Sequence, residues 1–123
     1  MATETTTTEQ LKQRTRDFAV RIVGLFRALP DSRDARVIGN QLIRCGTSVG
    51  ANYRAACRAR SRPDFTNKIG VVLEEADETI FWLELLVETK IVPLSRLTPL
   101  LQEANELTAI FAATKATLRN DAK

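Results

Sequence analysis

Four times along this chain, apolar residues recur at steps of three and four, and the first three runs each stop near a proline: Pro30, Pro63 and Pro93. Steps of that size return to one face of an α-helix. Proline lacks the N–H that would carry a helix through. The pattern predicts an all-α chain with helices over about 9–29, 33–59, 62–89 and 95–119. Connections this short make successive helices antiparallel neighbours, an up-down-up-down four-helix bundle. Val and Ile fall inside helical periods, not alternating ones, so no strand competes.

The inward faces can be read from the spacing. In the first helix they are Leu11, Phe18, Ile22, Leu25 and Leu29, and in the second Ile38, Cys45, Val49 and Ala56, flanked by Leu42 and Tyr53. The third helix offers Phe65, Ile69, Val72, Leu73, Ala76, Ile80, Leu83 and Val87, and the fourth Leu97, Leu100, Leu101, Ala104, Leu107, Phe111, Thr114 and Leu118. Asp31 or Ser32 can cap the second helix, and Ser61 the third, with Pro63 in its first turn. Thr98-Pro99 offers a later start for the fourth. Gly39, Gly46 and Gly50 interrupt the second helix, each costing about 1 kcal/mol against alanine. A close helix contact explains why they are tolerated. The Thr-rich segment 1–8 is expected to be disordered, and 120–123 frayed.

The chain has 123 residues, the size of one ordinary domain, with 44% hydrophobic and 27% charged residues, as in globular proteins. Its start has no apolar signal-peptide core, and no apolar run approaches the roughly 20 residues of a membrane span, so the expected compartment is the cytoplasm. There is no histidine. That removes the commonest general base and transition-metal ligand. Cys45 and Cys57 lie about 18 Å apart along one helix at 1.5 Å per residue, too far for a disulfide. The carboxylates Glu74, Glu75, Asp77 and Glu78 spread around their helix, which suits ion pairing better than a metal or acid–base site. No catalytic residue, metal site or cofactor is expected.

Charge is divided along the sequence. Residues 1–62 hold 12 Lys and Arg against 5 Asp and Glu; residues 63–123 hold 6 against 10. Such asymmetry suits either a basic binding face or complementary halves. Opposite the apolar arc of the second helix run Arg33, Arg36, Arg44, Arg54 and Arg58, continued at the turn by Arg60 and Arg62. Arginine's planar fork suits phosphate, so Arg44, Arg54, Arg58, Arg60 and Arg62 form a candidate phosphate track. A solvated or salt-bridged face is the alternative. On the third helix, Val71, Glu74, Glu75, Glu78, Phe81, Trp82 and Leu85 lie away from the core. Aromatic anchors among carboxylates describe an interface, and Val71, Glu75, Glu78, Trp82 and Leu85 are expected to contact a neighbouring subunit.

The run 41–56, with its Ser-Val-Gly-Ala-Asn stretch at 48–52, and the run 75–86, with Glu-Thr-x-x-Trp-Leu at 78–83, resemble the four-helix-bundle 23S rRNA intervening-sequence proteins. Asp64-Phe65 and Lys68-Ile69-Gly70 add to the likeness, which spans about 15–118. Many members carry a glutamate near the position of Ala55, so the arginine stripe here is more basic. The resemblance implies a left-handed bundle assembled as a homopentameric ring, encoded within insertions of bacterial large-subunit rRNA genes or elsewhere. The related accessory variability proteins of diversity-generating retroelements are pentamers that bind nucleic acid and a reverse transcriptase. No catalytic residues come with the resemblance. It draws attention to Ser48 and Asn52, expected to bond across helices or subunits. RNA or DNA, a second copy of the chain and a protein partner are the implied binders; an adaptor whose arginines serve partner salt bridges is the second reading.

Overall fold

The structure, a computed structural model, describes residues 6–121. It consists of α1 (Thr8–Ala28), α2 (Arg33–Ala56), α3 (Arg62–Glu88) and α4 (Leu94–Asp121), with no strand among the described residues. Side-chain meetings fix the directions. Along α1/α2, Gly39 faces Phe26 and Leu29, Gly46 faces Ile22, and Gly50 faces Thr15. Along α2/α3, Arg44 reaches Glu75 and Glu78 while Cys57 nears Phe65. Arg62 with Asp121, and Gly70 with Lys115, run α4 back along α3. Arg14 with Glu103 and Glu106 closes the square. Every neighbouring pair is antiparallel, so the architecture is an up-down-up-down four-helix bundle.

The helix ends follow local chemistry. Thr7 caps α1 through a reciprocal pair: its hydroxyl accepts from the Gln10 N–H at 3.1 Å, and its own N–H donates to the Gln10 side chain at 2.8 Å. That Thr-x-x-Gln capping box draws Thr7 and Thr8 out of the expected tail and into the helix start. Residues 1–5 of that expected tail lie outside the described residues, as do 122–123. Ser32 sits at the N-cap of α2 without capping it; its hydroxyl donates to Asp34 at 2.8 Å instead. Ser61 does cap α3, accepting from the Asp64 N–H at 3.2 Å. α2 stops at Ala56, three residues short of the expected end, because the chain tightens at Cys57.

At the end of α3, Ile91 N–H bonds the Leu86 carbonyl and Lys90 N–H that of Val87, both at 3.0 Å. This crossed pair is a Schellman motif, and it puts Lys90 at φ 63°, where glycine is the usual occupant. The residues after it turn inward: Val92 is buried and α4 starts at Leu94, so Pro99 lies inside the helix. The Leu97 and Leu100 side chains, both buried, hold that first turn against the core, which the later start at Thr98-Pro99 would forgo.

The core is one apolar column. Phe18, Ile22, Leu42, Val49, Ile69, Leu83, Leu86, Leu107 and Phe111 have almost no solvent contact. Its buried hydroxyls are satisfied within their helices: Thr15 donates to the Leu11 carbonyl at 2.8 Å and Thr79 to that of Glu75 at 2.7 Å. Both cysteines are free thiols, Cys45 buried and Cys57 half-buried. Burial pushes the Tyr53 phenol up to about 12, and the adjacent Cys57 thiol adds to the rise.

The glycines of α2 explain the closeness of α1. A Cβ at Gly46 would stand 2.8 Å from the Ile22 side chain, and one at Gly50 would stand 3.0 Å from the Thr15 carbonyl oxygen. At Gly24, on α1, nothing lies within 4 Å. The same substitution therefore has opposite expected signs. Gly24→Ala gains helix propensity and should stabilise by up to about 1 kcal/mol. Gly46→Ala gains that too, but Ile22 is fully buried and has nowhere to go, so overpacking of about 1–3 kcal/mol should win. Thermal unfolding of the two variants beside the parent chain checks the signs.

Candidate functional site

The arginine stripe of α2 divides into two parts. Arg44 belongs to the α2/α3 seam: its guanidinium donates to Glu75 at 2.9 Å and also grips Glu78. Glu78 accepts from the Trp82 indole N–H at 3.1 Å as well. The indole bond, followed by Arg44, holds the Glu78 carboxyl below the ordinary carboxylate range. These side chains answer one another inside a single chain. Glu75, Glu78 and Trp82 are half-buried along the seam, and Trp82 and Leu85 pack against the core edge. The sequence had placed all of them, with Val71, on one outward face.

What faces outward on α3 is the neighbouring crest: Val71, Glu74, Asp77, Phe81, Glu84 and Glu88, all exposed. Phe81 stands against Trp82 edge to face, with ring centroids 4.9 Å apart, yet remains 54% exposed. Val71 is the expected interface residue that lies on this crest. The discrepancy has a simple source: seam and crest are only one residue apart in the helical period, and spacing alone does not tell which of them the second helix overlies.

Arg54 and Arg58 behave differently from Arg44. Both are exposed, and neither has a carboxylate within 4.0 Å among the described residues. They line a cleft of about 870 Å³ between α1 and α2, opposite Lys12, Arg16 and Arg27. Its floor is Ala19, Val20, Val23, Gly24, Gly50 and Ala51, and the only acid on its lining is Glu9. Val20 is 65% exposed. Lys12, Arg16 and Arg27 were missed by the sequence reading. With Val20 and Val23 they form a second helical stripe on α1, visible as spacing, but only the close α1/α2 packing sets it beside Arg54 and Arg58.

Arg60 and Arg62 follow at the α2/α3 turn, both exposed. Arg62 approaches Asp121 at 3.5 Å, a loose surface contact worth little. The start of α1, the end of α2, the start of α3 and the end of α4 meet at this end of the bundle, which also carries Lys115 and Arg119. The adjacent α1/α4 side is locked by acid–base pairs. Arg14 on α1 donates two parallel bonds to Glu103 on α4, at 3.0 and 2.6 Å, and a third to Glu106 at 3.1 Å.

Ser48 and Asn52 are half-buried on α2. The Asn52 amide donates to the Ser48 backbone carbonyl at 2.9 Å. This bond stays within one helix instead of crossing to another, because a side chain one turn on reaches the preceding carbonyl with no help from tertiary structure. Among the described residues no three His, Cys, Asp or Glu side chains converge to hold a metal ion, and no helix is long and apolar enough to cross a membrane.

By fold and surface, the chain is an all-α antiparallel bundle with a basic cleft on one side and an acidic crest on another. It belongs to the family described as 23S rRNA-intervening sequence proteins, which matches residues 8–113. It is similar to a solved structure from Bacteroides thetaiotaomicron, described as a protein with unknown function from the S23 ribosomal protein family. The two are 36% identical over 89% of this chain and 97% of that one, with a TM-score of 0.82. No curated protein matches.

Proposed function

We propose that this chain is a non-enzymatic, self-associating cytoplasmic protein that binds the phosphate backbone of nucleic acid, RNA foremost, at the basic end of its bundle. The observation that carries the proposal is the run Arg54, Arg58, Arg60 and Arg62: four exposed guanidinium groups on one helix end and its turn, with Asp121 their single acidic contact within 4.0 Å among the described residues. Lys12 and Arg16 flank them from α1. Guanidinium groups donate paired hydrogen bonds to phosphate oxygens. No aromatic side chain lines the cleft, so bases have no stacking platform there, and contact with the backbone positions without reading sequence. The family description and the relative's ribosomal label agree with RNA as the partner. Arg44 is best kept out of this tract, since Glu75 and Glu78 already neutralise it.

Self-association is supported by Phe81 and Val71, exposed together on the α3 crest. A ring of five copies is the assembly that the family resemblance implies. The second reading, a protein adaptor, draws on Arg44, which shows that an arginine of this stripe can be satisfied by carboxylates.

Filter binding of a short single-stranded RNA across a salt series tests phosphate binding. With four or five contacts, the logarithm of affinity should fall with the logarithm of salt at a slope of about −3. A flat line, or no retention at low salt, refutes it.

A further inference from the structure

The geometry points to a head-to-tail contact in which the α3 crest of one copy of this chain lies in the α1/α2 cleft of the next. It rests on the self-association half of the proposed function and takes Lys12, Arg16 and Arg54 for the contact between copies, leaving Arg58, Arg60 and Arg62 to phosphate. The two surfaces match in three respects. In charge, the crest carries Glu74, Asp77, Glu84 and Glu88, none of them in an ion pair among the described residues, while the cleft carries five cations against Glu9. In apolar content, Phe81 projects from the middle of the crest, and Val20 stands exposed in the middle of the cleft beside the half-buried Val23. In length, at 1.5 Å per residue the crest from Val71 to Glu88 and the cleft wall from Glu9 to Arg27 each run about 26 Å.

The contact has to be between unlike surfaces. A twofold pairing of crests would oppose four carboxylates to four, and a twofold pairing of clefts would set cations against cations. Like charges brought face to face are repulsive, whereas crest to cleft is complementary. A laid-in amphipathic helix with a central aromatic anchor is a common mode of recognition. With Phe81 over Val20, acids on either side of it come to Arg16 and to Arg27. Arg58, Arg60 and Arg62, at and beyond the cleft mouth, stay open to phosphate. Because the two surfaces differ and lie on different sides of the bundle, each copy donates once and accepts once. Repetition closes a ring or extends a filament.

Two exposed substitutions test this, Val20→Asp in the cleft and Phe81→Asp on the crest. Circular dichroism should show unchanged helix content in both, since neither side chain is in the core. By light scattering and native mass spectrometry at tens of micromolar protein, the parent chain should assemble and each variant should run as a single chain. The mixture is decisive. The intact crest of Val20→Asp fits the intact cleft of Phe81→Asp, while the surfaces left over both carry the new aspartate. A two-chain complex and nothing larger is the expected product. The proposal is overturned by a parent chain that stays single, which would give the cleft to another molecule. It is equally overturned by either variant assembling as the parent does, or by a mixture that remains single chains or grows beyond two. None of these outcomes bears on Arg58, Arg60 and Arg62, so failure here leaves phosphate binding standing, and a flat salt series leaves the contact standing.

Discussion

Replacing Phe111 with alanine is expected to lower the unfolding free energy by about 3–5 kcal/mol, much of the roughly 5–15 kcal/mol that holds a domain of this size together. Phe111 has no solvent contact, and its ring lies 5.3 Å from that of Tyr53, tilted by 53°. The pair spans the bundle from α4 to α2, two helices that share no extended contact of their own. Removing the ring therefore empties the place where opposite corners of the square meet, and the surrounding helices cannot close on it without leaving their seams. Urea unfolding followed by helix signal reads the change. Phe81→Ala serves as the control: its ring is about half exposed and packs edge to face on Trp82, so the cost in a single chain should stay within about 1.5 kcal/mol. A loss at Phe111 below about 1 kcal/mol would contradict its central position.

The second large effect concerns binding. The triple variant Arg58→Glu, Arg60→Glu and Arg62→Glu should lose at least about 100-fold in RNA affinity at low salt, and its salt slope should flatten by about 2, the share of three phosphate contacts on a single strand. All three side chains are exposed, so the fold should persist. Arg44→Ala provides the contrast. Arg44 is committed to Glu75 and Glu78, and its loss should leave RNA affinity within about twofold while costing the α2/α3 seam at most about 1 kcal/mol. Filter binding of both variants over the same salt series distinguishes the basic end from the rest of the stripe. Equal loss in the two would restore Arg44 to the tract; no loss in the triple variant would remove the tract altogether.

The contrast between Arg44 and Arg58 shows where a linear reading of charge stops. Both lie on the outer arc of one helix, and nothing in their spacing separates them. What separates them is the element packed alongside. At Arg44, α3 presents Glu75 and Glu78; at Arg54 and Arg58, α1 presents Lys12 and Arg16. The first meeting neutralises charge and the second concentrates it. The capping box at Thr7 is the opposite case. Thr-x-x-Gln is a local signal, complete within four residues, and could have been recognised in the sequence instead of being absorbed into a disordered tail.

From the chain itself came four amphipathic helices, their antiparallel order and most of the core, because helical periodicity and proline breaks are local and short loops leave little topological choice. Phe18, Ile22, Val49, Ile69, Leu83, Leu107 and Phe111 were all legible as inward residues, and all are buried. Only the packed bundle decided which of two adjacent strips on α3 became a seam and which a crest, and which arginines kept their charge free. Burial is set largely by a residue's angular position around the axis of its own helix, which its spacing records. The neutralisation of a surface charge is set by the rotation of the next helix about its own axis, and that angle is fixed by interdigitating side chains such as Ile22 against Gly46, far apart in sequence.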